Sequence, residues 1–243
     1  MSYADNPYAA PTLSVAAYAD VDERTGFIRK TYLHLAGAVF AFAGLEAVLI
    51  NIPGLPDRFL DLLRVSPYSW LVVVGAFMFI SFLADKWARS ATSVSTQYLG
   101  LGVYVAAEAV VFLPLLFIAA EYYDPRVIPI AGLATLVIFT GLTAIVFLSG
   151  KDFSFLRTVL WLGGLVAMGC IIASAIFPAF ALGIVFCCAM VGLASGYILY
   201  DTSNVLHHYR IGQHVAASLA LFASVALMFY YVLRIVMSLS RND

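Results

Sequence analysis

The chain has 243 residues, 63% of them hydrophobic and only 11% charged, far more apolar than the roughly 45–50% expected of a soluble globular domain. It reads as a polytopic membrane protein of the all-α class. The net charge of -1, with Lys and Arg scattered rather than clustered, supplies no footprint for a phosphate backbone and excludes nucleic acid as a partner.

In chain order, residues 1–26 contain Asp20, Asp22 and Glu23 and have no basic start ahead of a short apolar run. They read as a disordered cytoplasmic tail, without a cleaved signal peptide. Residues 27–243 read as one membrane domain. Segments of about 20 apolar residues match a hydrocarbon core of about 30 Å, and seven are expected, at 31–51, 68–84, 97–119, 128–148, 157–177, 179–200 and 215–239. The breaks are "NIPGLPDRFLDLLRVSP", "DKWARSATSVS", "AEYYDPR", "SGKDFSFLR", Pro178 alone, and "DTSNVLHHYRIGQH". Residues 157–200 are too long for one crossing, so Pro178 is expected to mark a tight hairpin. With the N-terminus cytoplasmic, the inner loops hold eight cations: Arg24, Arg29, Lys30, Lys86, Arg89, Lys151, Arg157 and Arg210. The outer side holds four, Arg58, Arg64, Arg126 and Arg241, which favours an N-in, C-out arrangement.

An ionisable side chain at the centre of a span costs about 2.5–3.5 kcal/mol on insertion scales, so the few inside spans are where chemistry is sought. His34, close to the start of the first span, and Arg234, in the seventh, read as interfacial, Arg234 by snorkelling. Glu46, near the outer boundary of the first span, is open to an interfacial or a functional role. Glu108, in the middle of the third, has no route to water and must face other helices or a wet cavity. Asp201 ends the sixth span, and Asp201, Asn204 and His208 follow i, i+3, i+7 spacing on one helix face. With no Pro or Gly in 197–211, that helix is expected to run from about 180 to 209. The polar stripe is then either the mouth of a pathway or a solvated helix extension. Gly192 and Gly196, in "GLASG", have the small-xxx-small spacing that admits a close neighbour, which would set Asp201 against another helix. Cys170, Cys187 and Cys188 show no metal-ligand spacing and read as small packing residues. His207, His208 and His214 make a poor zinc site, because adjacent histidines diverge on a helix. No resident metal or cofactor is expected, and Ser195 has no evident base beside it, so no enzyme is expected either.

The segment "GYILYDTSNVLHHY", with "KDFSFL" before the fifth span and "FIRKTYLHLAGAVFAFAGLEA" at the first, resembles the Bax inhibitor-1 family, its bacterial branch in particular, over roughly residues 27–239. The resemblance implies a seven-helix fold with the last helix central in the bundle and, as in some members, a pH-sensitive calcium leak. Other bacterial members modulate a membrane AAA protease, and eukaryotic ones suppress cell death. The aspartate of the ILYD segment corresponds to Asp201; in leak-competent relatives it pairs with a second aspartate in the seventh helix as a pH-sensing gate. Aligning the last span on Arg234 puts Ser224 at that second position. A serine can donate a hydrogen bond to Asp201 but cannot share a proton as two close carboxylates do. The family's arginine between the second and third spans maps onto Arg89, a candidate charge partner together with Glu46. The expectation is an inner-membrane protein, if bacterial, that leaks cations, with transported Ca2+ foremost, past Asp201, Glu108, Ser224, Asn204 and His208. Asp201 serves as a fixed anionic site and Glu108 or His208 carries any pH response. The alternative is a non-conducting regulator of a membrane protease or a stress-response interaction protein.

Overall fold

The computed structural model describes residues 15–66, 68–90, 93–177 and 182–240. Among these the helices are α1 (Val21–Asn51), α2 (Leu55–Arg64), α3 (Ser69–Ala88), α4 (Val94–Tyr122), α5 (Val127–Ser149), α6 (Leu156–Ile176), α7 (Ile184–His207) and α8 (His214–Ser240). All but α2 are long and apolar enough to cross a membrane, so each of the seven expected spans has its helix. The boundaries are set locally. The Ser93 hydroxyl accepts the Thr96 N–H and opens α4, supplying one of the bonds the first helical turn lacks. Gly54, at φ 73°, turns the chain between α1 and α2, and Gly150, at φ 60°, closes α5; both positions need the left-handed backbone that glycine adopts without strain.

The ten residues of α2 were expected to be loop. They are too few to span a bilayer and form an amphipathic helix instead, with Leu60 and Pro56 buried and an exposed Asp61–Arg64 pair at 3.6 Å on the other side. At the other end of the chain, α8 carries more buried residues than any other of the described helices, as a helix packed on several sides must. Val215 through Leu219 are buried without interruption, and α8 packs against α7, α5, α1, α4 and α3. The last helix is therefore central. Phe42 of α1 knits the two halves of the core together, edge-on to both Phe112 of α4 and Phe222 of α8.

The start of α1, the end of α3, the starts of α4 and α8 and the end of α7 gather at one face, here the near face. Arg89 stands 5.9 Å from the Tyr209 ring, and His34 reaches Tyr98 at 2.9 Å. The Ala16 N–H donates to the Tyr209 carbonyl at 2.9 Å, and Val15 pairs with Arg210. This corrects the expected disordered tail over 15–26. Ala16 is fully buried in a 3-10 turn, Ala16–Tyr18, and α1 begins at Val21. Residues 1–14, Arg241 and the expected hairpin at Pro178 lie outside the described residues.

The tightest helix approach is also not the one singled out from the sequence. A Cβ on Gly100 would sit 2.5 Å from the Ala84 carbonyl oxygen and 2.7 Å from the Ala88 nitrogen, so α3 and α4 touch backbone to backbone. Gly196 meets only the Leu160 side chain of α6, and Gly192 has nothing within 4 Å. Small residues at i and i+4 permit a close neighbour, but one must also be placed there.

Candidate functional site

Asp201 sits two turns before the end of α7, and Ser224 lies ten residues into α8, about 15 Å along its axis. The short loop 208–213 returns α8 alongside α7, so the two side chains meet: Ser224 Oγ donates to Asp201 Oδ2 at 2.5 Å. Both are buried, at 8% and 5% exposure. Asp201 and Ser224 line a cavity of about 1160 Å³ that also takes in Glu108 of α4, Asp85 of α3 and Arg234 of α8. Its far end is walled by Leu60 and Leu63 of α2 and Trp70 of α3. Glu108 is buried at 6% exposure, with Oε1 accepting the Tyr104 hydroxyl at 3.0 Å. It lies about 21 Å along α4 from the near face, and Arg234 about 30 Å along α8, at 1.5 Å per residue. Carboxylates therefore face one cavity at successive depths.

Asp85 was missed. It falls one residue past the expected end of the second span, and its i, i+4 relation to Arg89 was the signal that could have placed it on the helix. Arg89 Nε donates to both Asp85 carboxylate oxygens at 2.9 Å. Its charge also reaches Asp201, so its first partner is Asp85 and Asp201 is a more distant one. Tyr209, in the loop beside them, is buried. Burial pushes its hydroxyl up to about 12 against the opposing pull of Arg89, which leaves it a neutral donor at working pH.

Asn204 and His208, expected on the same stripe as Asp201, are not among the residues that line the cavity. The helix ends at His207, where the Asn204 carbonyl accepts the N–H groups of both His208 and Tyr209 at 2.9 Å. His208 turns outward and meets Asp152 Oδ2 at 3.0 Å. Asp152 Oδ1 accepts the Ser154 N–H at 2.8 Å and the Ser203 hydroxyl at 3.2 Å, while Ser203 Oγ accepts the Phe153 N–H at 2.8 Å. The "KDFSFL" loop is thus clasped onto the end of α7. Asp152 is held below the usual carboxylate range, because slight burial pushing it up is outweighed by the Ser154 N–H and by His208.

Glu46 faces the interior of the bundle. It is buried at 4% exposure, neither carboxylate oxygen has a hydrogen-bond partner among the described residues, and it does not line the cavity. Its helix neighbours Phe42 and Ile50 pack on the core formed by Phe112, Leu116 and Val127. Ser195 donates its hydroxyl to the Val191 carbonyl at 2.8 Å. Among the described residues no three His, Cys, Asp or Glu side chains are grouped to hold a metal ion.

A family model described as inhibitor of apoptosis-promoting Bax1 matches residues 24–242. Bax inhibitor 1 of Schizosaccharomyces pombe is 29% identical over 90% of this chain and 79% of its own length. The modulator of FtsH protease YccA of Escherichia coli is 27% identical over 88% of this chain and 91% of its own. Protein LIFEGUARD 3 of Arabidopsis thaliana is 23% identical over 95% and 92%.

Proposed function

The chain belongs to the family of inhibitors of apoptosis-promoting Bax1, and from that membership we propose that this integral membrane protein leaks cations, Ca2+ foremost, through the cavity floored by α8. The observation that carries the reading is that Asp85, Glu108 and Asp201, from three different helices, line one cavity. Ca2+ is a hard cation that prefers oxygen ligands, carboxylates above all, and carboxylates buried within spans, as Glu108 and Asp201 are, mark ion pathways. Asp85, nearest the near face, is ion-paired with Arg89, and Asp201 is the next anionic site along the cavity. The Ser224 hydroxyl ties it to α8, and opening requires that tie to release. Because the tie needs no proton shared between two carboxylates, the pH response of a carboxylate pair is not expected at this position. The near face carries the cation-rich loops and is assigned to the cytoplasm. Reporter fusions within 150–156 and after Ser240 should fall on opposite sides of the membrane; both on one side would remove that assignment. The leak itself is tested with purified protein in vesicles loaded with a Ca2+ dye, where wild type should admit Ca2+ faster than empty vesicles.

A second reading is favoured by one finding, the name of the Escherichia coli relative as a modulator of the FtsH protease. On that reading the protein binds and restrains a membrane-embedded protease without passing ions. Wild type that gives no flux, yet co-purifies with such a protease and slows its degradation of a membrane substrate, would favour it.

A further inference from the structure

A second furrow, of about 560 Å³, runs between α1 and α4 on the outside of the bundle. Its walls are Gly37, Ala41 and Leu45 on one side and Leu101, Gly102 and Val105 on the other. A Cβ on Gly37 or Gly102 would meet nothing within 4 Å, so the absence of side chains here is what leaves the groove open. From Leu33 to Leu45 it extends about 18 Å along α1 at 1.5 Å per residue, close to the depth of one leaflet, about half of a 30 Å core.

The near-face end of the furrow is closed by His34 and Tyr98. His34 Nδ1 lies 2.7 Å from the Lys30 carbonyl. A carbonyl can only accept, so Nδ1 carries the hydrogen and Nε2 is left to the Tyr98 hydroxyl at 2.9 Å. The His214 ring stands 4.9 Å from that of His34, and the Lys30 charge reaches it. Lys30 is exposed. None of the ion pairs among the described residues, Arg64–Asp61, Arg89–Asp85 and His208–Asp152, gives Lys30, His34 or His214 a carboxylate. One ammonium and two imidazoles therefore converge at the head of an apolar furrow of one-leaflet depth.

We propose that this furrow is a binding site for an anionic phospholipid of the leaflet at the near face, with one acyl chain between α1 and α4 and the headgroup phosphate among Lys30, His34 and His214. The charge complementarity selects an anionic over a zwitterionic headgroup, and the missing side chains at Gly37 and Gly102 make room for the chain. The bound lipid fills space that α1 and α4 leave between them and braces α1 against the bundle. The site is separate from the cavity of the leak and does not depend on it.

The test uses the full chain, purified in mild detergent and equilibrated with an equimolar mixture of phosphatidylglycerol and phosphatidylcholine, with bound lipid counted by native mass spectrometry. Wild type should retain phosphatidylglycerol in preference. Lys30→Gln should lower that preference by about fivefold, and Lys30→Gln with His34→Gln and His214→Gln should abolish it. Gly37→Leu with Gly102→Leu, which fills the furrow, should lose both lipids while leaving the headgroup cations in place. Arg58→Gln with Arg64→Gln, which removes two cations on α2, should change nothing. If the furrow-filling variant fails to fold, the Lys30→Gln result decides. Equal retention of the two lipids by wild type would overturn the proposal, as would thermal protection by inorganic phosphate alone equal to that by phosphatidylglycerol.

Discussion

Replacing Ser224 by alanine removes one oxygen, opens no significant void, and deletes the hydrogen bond that holds Asp201 against α8 at 2.5 Å. Both partners are more than nine-tenths buried, which limits how far water can compensate for the loss. A hydrogen bond to a charged group contributes about 1.5–3 kcal/mol. If the bond exists in the closed form and is absent from the open one, the closed form loses that amount relative to the open form. The equilibrium then moves by about 10- to 150-fold toward opening, at 1.4 kcal/mol per factor of ten. The assay is the initial rate of Ca2+ entry into dye-loaded proteoliposomes, normalised to reconstituted protein. Ser224→Ala should raise the rate until the open state dominates, and Ser224→Thr, which keeps the hydroxyl, should stay near wild type. A Ser224→Ala rate at or below the wild-type rate refutes the tie as a gate.

Glu108→Gln keeps the size of the side chain and its contact with Tyr104 but removes its titration; the flux-versus-pH curve should flatten, and an unchanged curve would take the pH response away from Glu108. Gly100→Ala places a carbon 2.5 Å from a backbone oxygen of α3, an overpacking that should cost about 1–3 kcal/mol and lower the melting temperature, whereas Gly192→Ala, with open space around it, should be neutral or stabilising. For Asp152, whose folded pKa is depressed, the stabilisation is present above the ordinary carboxylate value of about 3.9 and is lost as pH falls through the lower folded value. Asp152→Asn should therefore lower thermal stability at neutral pH and down to about pH 4, with the difference from wild type closing only at more acidic pH; a difference independent of pH down to strong acid would contradict the clasp.

The spans were legible because an apolar run of bilayer length has few other readings, and α8 was legible as central from the family resemblance. What a span cannot reveal is its rotation and its neighbours. Glu108 and Asp201 were marked as intramembrane carboxylates, but their sharing of a cavity with Asp85 depends on how α3, α4 and α7 are turned toward α8. Asp85 itself was placed in a loop because its span was ended one residue early. Gly100 and Gly192 look alike in the sequence, yet only Gly100 has Ala84 and Ala88 packed on it. The end of α7, at His207, falls within two residues of the expected 209; what spacing could not show is that the Ser203 hydroxyl is engaged by Asp152 and Phe153, residues some fifty positions earlier in the chain. That clasp also holds His208, on the same face as Asp201 by spacing alone, against Asp152.

The central claim is that cations pass the cavity and meet Asp201 on the way. Ca2+ entry into proteoliposomes, measured side by side for wild type and Asp201→Asn at matched protein content, tests it most directly. Wild type should leak above protein-free vesicles and Asp201→Asn should leak less at every pH. A wild-type rate no greater than that of protein-free vesicles, or an Asp201→Asn rate equal to wild type, would contradict the claim.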